Sequence, residues 1–288
     1  RGDGRTPEGT YYLWGKNWQS RFYLSLGVSY PNPTDAPRGL RQGLISPTMQ
    51  QRIASACARQ AKPPQHTRLG GNIFIHGGGI GEVVLLSELV SRDRSLGDYQ
   101  GVVIPGGSSW GDHLAPGRIF AAHLIHYLAD DLRVLREKQC PILGIGNGFQ
   151  VLCETGLLPE GQVGTPTVAL LENSSGIAEN RWVQMTVADP SHPWLRDFPE
   201  QFRMPVSCRA GRLSGENIRP ALYYVDESGA PTEEYPHNPT GSKGGIAGIL
   251  DNSGVVLGMM AHPERAVLSV QGSTAGLVVF KNMLAMLI

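Results

Sequence analysis

The sequence predicts an α/β fold, a mostly parallel open sheet flanked by helices, with a small β-rich segment ahead of it. Three observations predict it. The short unbroken apolar runs EVVLL, GVVIPGG and PILGI suit strands buried on both faces. Between the second and third lies RIFAAHLIHYLADDLRVLREK, whose apolar residues recur every three or four positions, the stripe of a long amphipathic helix. Polar, glycine-rich stretches directly follow the runs, at the strand ends where open α/β sheets hold their ligands.

Each element can be justified in order. Within residues 1–35, RFYLSLGVSYP is an alternating pattern with aromatic residues and the β-branched Val28, bounded by turn residues, which reads as strand. SPTMQQRIASACARQAK starts a helix at Ser46, with proline at the first helical position. GGNIFIHGGG holds a short strand between glycines and carries His76 at its end. The texture changes at Glu82, which divides the chain into residues 1–81 and residues 82–288. Beyond the long helix and PILGI, the runs NRWVQMTVAD, ALYYVD, GGIAGIL and GVVLGMMAHPE read as more antiparallel strands, and GSTAGLVVFKNMLAMLI as a helix.

Composition narrows the function classes. With 17% charged residues, a formal net charge of zero and no basic run of five or six residues, nothing in the chain of 288 residues suggests a nucleic-acid surface, and no nucleic-acid partner is expected. No stretch reaches 18 apolar residues, so no membrane span is expected, and RGDGRTPEGTYY lacks the basic and apolar segments of a signal peptide. The cysteines Cys57, Cys140, Cys153 and Cys208 form no CxxC pair and no metal spacing. They fit free thiols in a reducing, cytoplasmic compartment. Neither a metal nor a cofactor is expected. The 37 glycines exceed the roughly 20 of average usage and fit many tight turns.

Three polar stretches stand at strand ends. PGGSSWGD follows GVVI and brings Gly106 and Gly107; GNGFQ follows LGI and brings Gly146, Asn147 and Gln150. HPER follows VVLGMM and places His262 and Glu264 two residues apart. The three could converge on one crevice. Taken singly, each also reads as an ordinary turn or surface pair. Gly146 occupies the sharp strand-to-helix bend at which many enzymes place a nucleophile.

From Glu82 onward the chain resembles the class I glutamine amidotransferases, and within them the glutaminase of phosphoribosylformylglycinamidine synthase of purine biosynthesis. The stretches that carry the resemblance are PGGSSWGDHLAPGR, PILGIGNGFQVLCETGLLPE, NSSGIAENRWV, NPTGS with GGIAGI, and GMMAHPERA. The resemblance implies glutamine as substrate and a synthase subunit as partner. It implies a cysteine nucleophile at position 146, His262 to move protons and Glu264 to orient it. Backbone amides near Gly107 and Asn147 would form the oxyanion hole, and Gly106 and Gln150 would help hold the substrate.

Against this pattern, position 146 is glycine, which keeps the bend at no steric cost but has no side chain with which to attack. Cys140 lies roughly 20 Å away along extended chain, and Cys153 about 10 Å along the following helix, where it reads as a buried thiol. The family's His-Gly-Glu-Gly-Arg stretch is replaced by Cys208, Arg209, Ala210, Gly211 and Arg212, and Ser108, Ala178 and Ala261 are further departures. The domain's usual first strand and helix are not found ahead of EVVLL.

Residues 1–81 carry their own resemblance. GDGRTPEGTYYL, NWQSRFYLSLGVSYPNPTDA and LGGNIFIHGGGIGE are similar to the front part of a YkuD-like L,D-transpeptidase, a β-rich fold that cross-links peptidoglycan through a cysteine. His76 matches that family's histidine, while its Ser-x-Gly-Cys stretch is replaced by EVVLLSELV. The reading is therefore a fusion of two truncated domains joined near Gly81. Three functions stay open: an amidotransferase domain inactive as a glutaminase, a transpeptidase-derived cell-wall protein, or a non-enzymatic scaffold or interaction module.

Overall fold

A computed structural model of the chain describes residues 13–20, 23–68, 74–77, 81–112 and 114–287. Its contacts fall into two units, Arg1–Glu82 and Val83–Ile288.

In the first unit, β1 (Leu13–Ser20), β2 (Tyr23–Val28) and β3 (Phe74–Gly77) form an antiparallel sheet in that order. Between β2 and β3 lie α1 (Asp35–Arg41) and α2 (Pro47–Ala58), packed through Ala36, Ile45 and Ile53. The expected start of α2 is present: Ser46 Oγ accepts the Met49 N–H at 3.1 Å, and Pro47 opens the first turn. The backbone of His76 lies opposite Ser25 in the β2–β3 register. Residues 1–12, 69–73 and 78–80, which include Gly70, Gly71, Gly78 and Gly79 beside the IFI strand, lie outside the described residues.

The second unit follows the order α3 (Leu86–Val90), β4 (Val102–Ile104), α4 (Arg118–Glu137), β5 (Ile142–Ile145) and α5 (Asn147–Glu154). It continues through β6 (Val168–Glu172), β7 (Glu179–Val187), β8 (Phe202–Cys208), β9 (Ala210–Gly215) and β10 (Arg219–Tyr224). The remaining elements are β11 (Ile246–Leu250), β12 (Val256–Met259) and α6 (Ala275–Ala285). Seven strands make a mixed sheet in the order β4-β5-β12-β11-β10-β7-β8, and β6 pairs with β9 separately. Parallel pairing is confined to β4, β5 and β12; the other pairs are antiparallel.

Alternation across the pleat explains the two cores. Ile142, Ile249 and Val256 face one cluster, while their chain neighbours Leu143, Leu250 and Leu257 face the other. The first cluster is closed by α4, whose stripe of Ala121, Leu124, Leu128, Leu132 and Leu135 is buried as its spacing predicts. Fully burying each of these leucines contributes roughly 1.5–3 kcal/mol.

EVVLL departs from expectation. Residues 81–85 form no strand; Val83 is 92% exposed, Leu85 61%, and α3 begins at Leu86. A strand needs a neighbour for its N–H and C=O groups, and among the described residues the sheet ends at β4. The run makes no strand pairing, and Leu85, although extended at φ −77° and ψ 144°, serves as the N-cap of α3.

The opposite end of the sheet curls. The last strand, β8, meets the segment after β12: Val206 bridges Ala261, and Pro205 C=O accepts the His262 N–H at 2.8 Å. This closure brings β7 and β8 to the ends of the parallel strands.

Candidate active site

Because β4, β5 and β12 are adjacent and parallel, their carboxyl ends lie side by side, and the three glycine- or histidine-bearing loops converge there. At the bend after β5, Gly146 has φ +52° and ψ −108°, in the left-handed half of backbone space. Its N–H donates to Met259 C=O at 2.8 Å, tying the bend to β12. A Cβ built at Gly146 would stand 3.0 Å from His262 Nε2, so any side chain at this position would point at the imidazole.

His262 is 2% exposed. Its Nδ1–H donates to Glu264 Oε1 at 2.7 Å. That tautomer leaves Nε2 as the basic nitrogen facing Gly146, and Nε2 is buried with no hydrogen-bond partner among the described residues. Burial acts to raise the half-buried Glu264 carboxyl, but the hydrogen bond and charge of His262, with Arg265 beside it, outweigh burial and hold it below the ordinary carboxylate value. The dyad is thus an oriented imidazole with an ionised carboxylate behind it, the geometry of a general base.

Around it opens a cavity of about 290 Å³ that Gly107, Asn147, Gln150 and His262 all line. Gly107 has φ +110°. As the first residue of α5, Asn147 has a backbone N–H with no acceptor inside the helix. The Gln150 carboxamide is committed within the protein: its Oε1 accepts from Asn147 Nδ2 at 2.9 Å and its Nε2 donates to Ala210 C=O at 2.5 Å. It braces α5 against β9 while forming part of the wall. Gly106 lies under the imidazole, and His76 belongs to the other unit.

Sequence reasoning missed the charged residues of the wall, Asp112, Glu179, Arg209 and Arg265. Glu179 is 1% exposed; its Oε2 pairs with Arg181 at 2.7 Å, while Oε1 is buried and has no partner among the described residues. Register explains its place, since Glu179 on β7 lies opposite Cys208 on β8, and β8 is the strand that curls to the site. The wall thus carries two carboxylates and two guanidinium groups, of which Arg209 pairs with Glu172 at 3.5 Å and Arg265 with Glu264 at 3.7 Å.

Position 146 carries no thiol, and Cys208 is the described cysteine that lines the cavity. Cys153 is fully buried on α5, and burial pushes its thiol up. Cys208 lines the cavity, but burial pushes its thiol up to about 12, and its Sγ lies 3.8 Å from Asn173 Oδ1. Among the described residues no group of three or more His, Cys, Asp or Glu could hold a metal ion, and no helix is long and apolar enough to cross a membrane.

Comparison with known proteins decides the family. Residues 72–281 match the CobB/CobQ-like glutamine amidotransferase domain. The chain belongs to this family. The match begins inside the first unit and takes in β3. Among relatives, the phosphoribosylformylglycinamidine synthase subunit PurQ of Pyrococcus horikoshii is 41% identical over 201 residues, covering 68% of this chain and 84% of the relative. The Pyrococcus furiosus subunit PurQ is 42% identical over 202 residues, covering 68% and 85%. The solved structure of PurLQS from Thermotoga maritima superposes with a TM-score of 0.56 at 35% identity, covering 68% of this chain and 84% of that one. The mixed seven-stranded sheet flanked by helices is the amidotransferase fold shared with these relatives.

Proposed function

We propose that Val83–Ile288 is a PurQ-like amidotransferase unit of purine biosynthesis that binds glutamine but does not hydrolyse it at a glutaminase rate. One observation carries the reading: the buried His262 Nε2 faces, at 3.0 Å, the point where a Cβ would stand on a residue that has none. In the chemistry of the family, a thiolate at 146 would attack the γ-amide, His262 would carry the proton to the departing ammonia, and Glu264 would keep the imidazole aligned. Backbone amides around Gly107 and Asn147 would receive the oxyanion. Glu179 would take the α-ammonium, and Arg209 and Arg265 the α-carboxylate. Loss of the nucleophile from such a constellation lowers turnover by about 10⁶-fold.

The partner is a synthase subunit in the cytoplasm, a reading supported by the relatives' description as subunits of that synthase. The end of the sheet at β4 supports a domain without its first strand and helix. For Arg1–Glu82 we propose descent from a transpeptidase-like fold, a reading supported by the antiparallel pairing of β2 and β3, which fall in two of the stretches that resemble it. His76 without the Ser-x-Gly-Cys stretch would not cross-link peptidoglycan, and this unit would serve as a scaffold.

The test is ammonia release from glutamine. No release above background is expected from the chain as it stands. Gly146→Cys should give measurable release and covalent labelling by an electrophilic glutamine analogue. Clear release from the unsubstituted chain overturns the reading.

A further inference from the structure

Charge is distributed unevenly along the chain. Lys and Arg balance Asp and Glu at 25 each over the whole sequence, yet Ala36 to Gly81 contains no Asp or Glu, while Arg38, Arg41, Arg52, Arg59, Lys62 and Arg68 all fall there. Arg38 pairs with Asp35 at 3.4 Å. Arg52 and Arg59 have no carboxylate of this stretch to pair with, and their guanidinium groups make no ion pair among the described residues.

These two cations meet a third. A cavity of about 440 Å³ in the first unit is lined by Thr48, Gln51, Arg52, Ser55, Arg59 and Lys62, and its apolar part is confined to Ala56 and Pro64. Spacing explains the convergence. Thr48, Arg52, Ser55 and Arg59 recur every three or four residues along α2 and its C-cap, so they share one face, while Ile53 turns the other way into the core. At the end of α2, Gln60 has φ +51°, and the Ala61 N–H donates back to Ala56 C=O at 2.9 Å, which turns the chain toward the helix. Gln65 Nε2 then donates to Pro63 C=O at 2.7 Å and Tyr30 C=O at 3.3 Å, fixing the returning segment that brings Lys62 and Pro64 to the wall.

Every polar side chain on this wall can donate a hydrogen bond, and no carboxylate is among them. Like charges sharing a cleft focus a positive field on it. An occupant that relieves their repulsion must offer acceptors and carry more than one negative charge, because Arg52 and Arg59 stand about 10.5 Å apart along the helix axis. A chain of phosphoryl groups has both properties, and the planar guanidinium fork matches phosphate oxygens with paired hydrogen bonds. The wall has no aromatic ring on which a base could stack.

We propose that this cavity is an oligophosphate-binding site that recognises the phosphate chain alone, whether free or carried by a nucleotide. It belongs to Arg1–Glu82 and does not depend on the glutamine reading of Val83–Ile288.

The experiment titrates the full chain with tripolyphosphate, ATP and adenosine by calorimetry, without divalent cations and at about 0.15 M salt, where exposed charges more than about 8 Å apart are largely screened. Tripolyphosphate and ATP should both bind, with affinities that agree to within about 5-fold, the least that a stacked base adds. Adenosine should not bind. Arg52→Gln and Arg59→Gln should each weaken tripolyphosphate by about 10-fold, the low end for a hydrogen bond to a charged group. Arg41→Gln removes a charge from the same acid-free stretch but outside the cavity, and should leave the affinity unchanged. Circular dichroism and thermal unfolding establish that each variant is folded.

No binding of tripolyphosphate at millimolar concentration overturns the proposal. So does an equal loss in Arg41→Gln and the two cavity variants, which would assign the binding to the general charge of the segment. Binding of adenosine, or of ATP far more tightly than tripolyphosphate, overturns recognition by the phosphate chain alone.

Discussion

The imidazole of His262 rests on Gly106: a Cβ built there would stand 2.5 Å from His262 Cε1 and 3.0 Å from Nδ1. Real Cβ atoms do not approach so closely, so the first glycine of the β4 loop, not only the bend after β5, determines where the general base can lie. Gly106→Ala should push the ring off the Glu264 carboxylate. Overpacking of this kind costs about 1–3 kcal/mol. In a Gly146→Cys background it should also lower ammonia release by about 10²-fold, the cost of a small misplacement of a reacting group. Steady-state kcat and urea unfolding check the two parts.

The Glu264 carboxyl is held below its ordinary value because His262 and Arg265 outweigh the opposing effect of burial. The sign of its pH dependence follows. A depressed folded-state value means that the carboxylate's stabilising contribution is fully present above the unfolded value of about 4.3 and is lost as pH falls through the lower folded value. Comparing Glu264→Gln with the parent, the difference in Tm should stay level from about pH 6 down to about pH 5 and shrink below it. A difference that grows toward acid pH contradicts the assigned geometry.

How much of this was legible in the residues depended on how local each signal is. PILGI became β5 and RIFAAHLIHYLADDLRVLREK became α4 because burial on both faces, or along one stripe, leaves a direct mark on the chain. Gly146, His262 and Glu264 were legible from their place after apolar runs, together with the family resemblance. EVVLL was misread because an extended run is a strand only if another strand lies beside it, and the sheet's neighbour order is a property of the fold. Glu179 escaped notice for a related reason. Nothing in AENRWV marks the carboxylate as inward-facing; its place depends on the β7–β8 register and on β8 curling to meet Ala261.

Cys208 shares the cavity with His262, which invites the idea that it supplies the nucleophile. Burial argues against this, since a thiol pushed up to about 12 holds only about 10⁻⁵ of its population as thiolate at neutral pH. An electrophilic glutamine analogue should therefore leave Cys208 unmodified over hours in the parent chain, while labelling the thiol introduced by Gly146→Cys. Peptide mapping by mass spectrometry distinguishes the two sites. Stoichiometric modification of Cys208 in the folded parent would return it to the reaction.

Glu179 gives the sharpest test of what the cavity recognises. Its Oε2 is occupied by Arg181, and its Oε1 is buried without a partner among the described residues, an arrangement that is unfavourable unless a cation completes it. The α-ammonium of glutamine is such a cation, and a hydrogen bond to a charged group contributes about 1.5–3 kcal/mol, which is about 10- to 150-fold in affinity. The matched ligand is 5-amino-5-oxopentanoic acid, which is glutamine without its α-amino group. The parent chain should prefer glutamine over this compound by that factor. Glu179→Gln keeps the side chain's size and removes the charge, so it should weaken glutamine binding by the same factor while barely changing the affinity for the deaminated ligand. The preference would then nearly vanish. Calorimetric titration of both ligands into both proteins reads the difference directly, and a preference that survives in the variant would mean that the ammonium is held elsewhere, with Asp112 the other carboxylate in the wall.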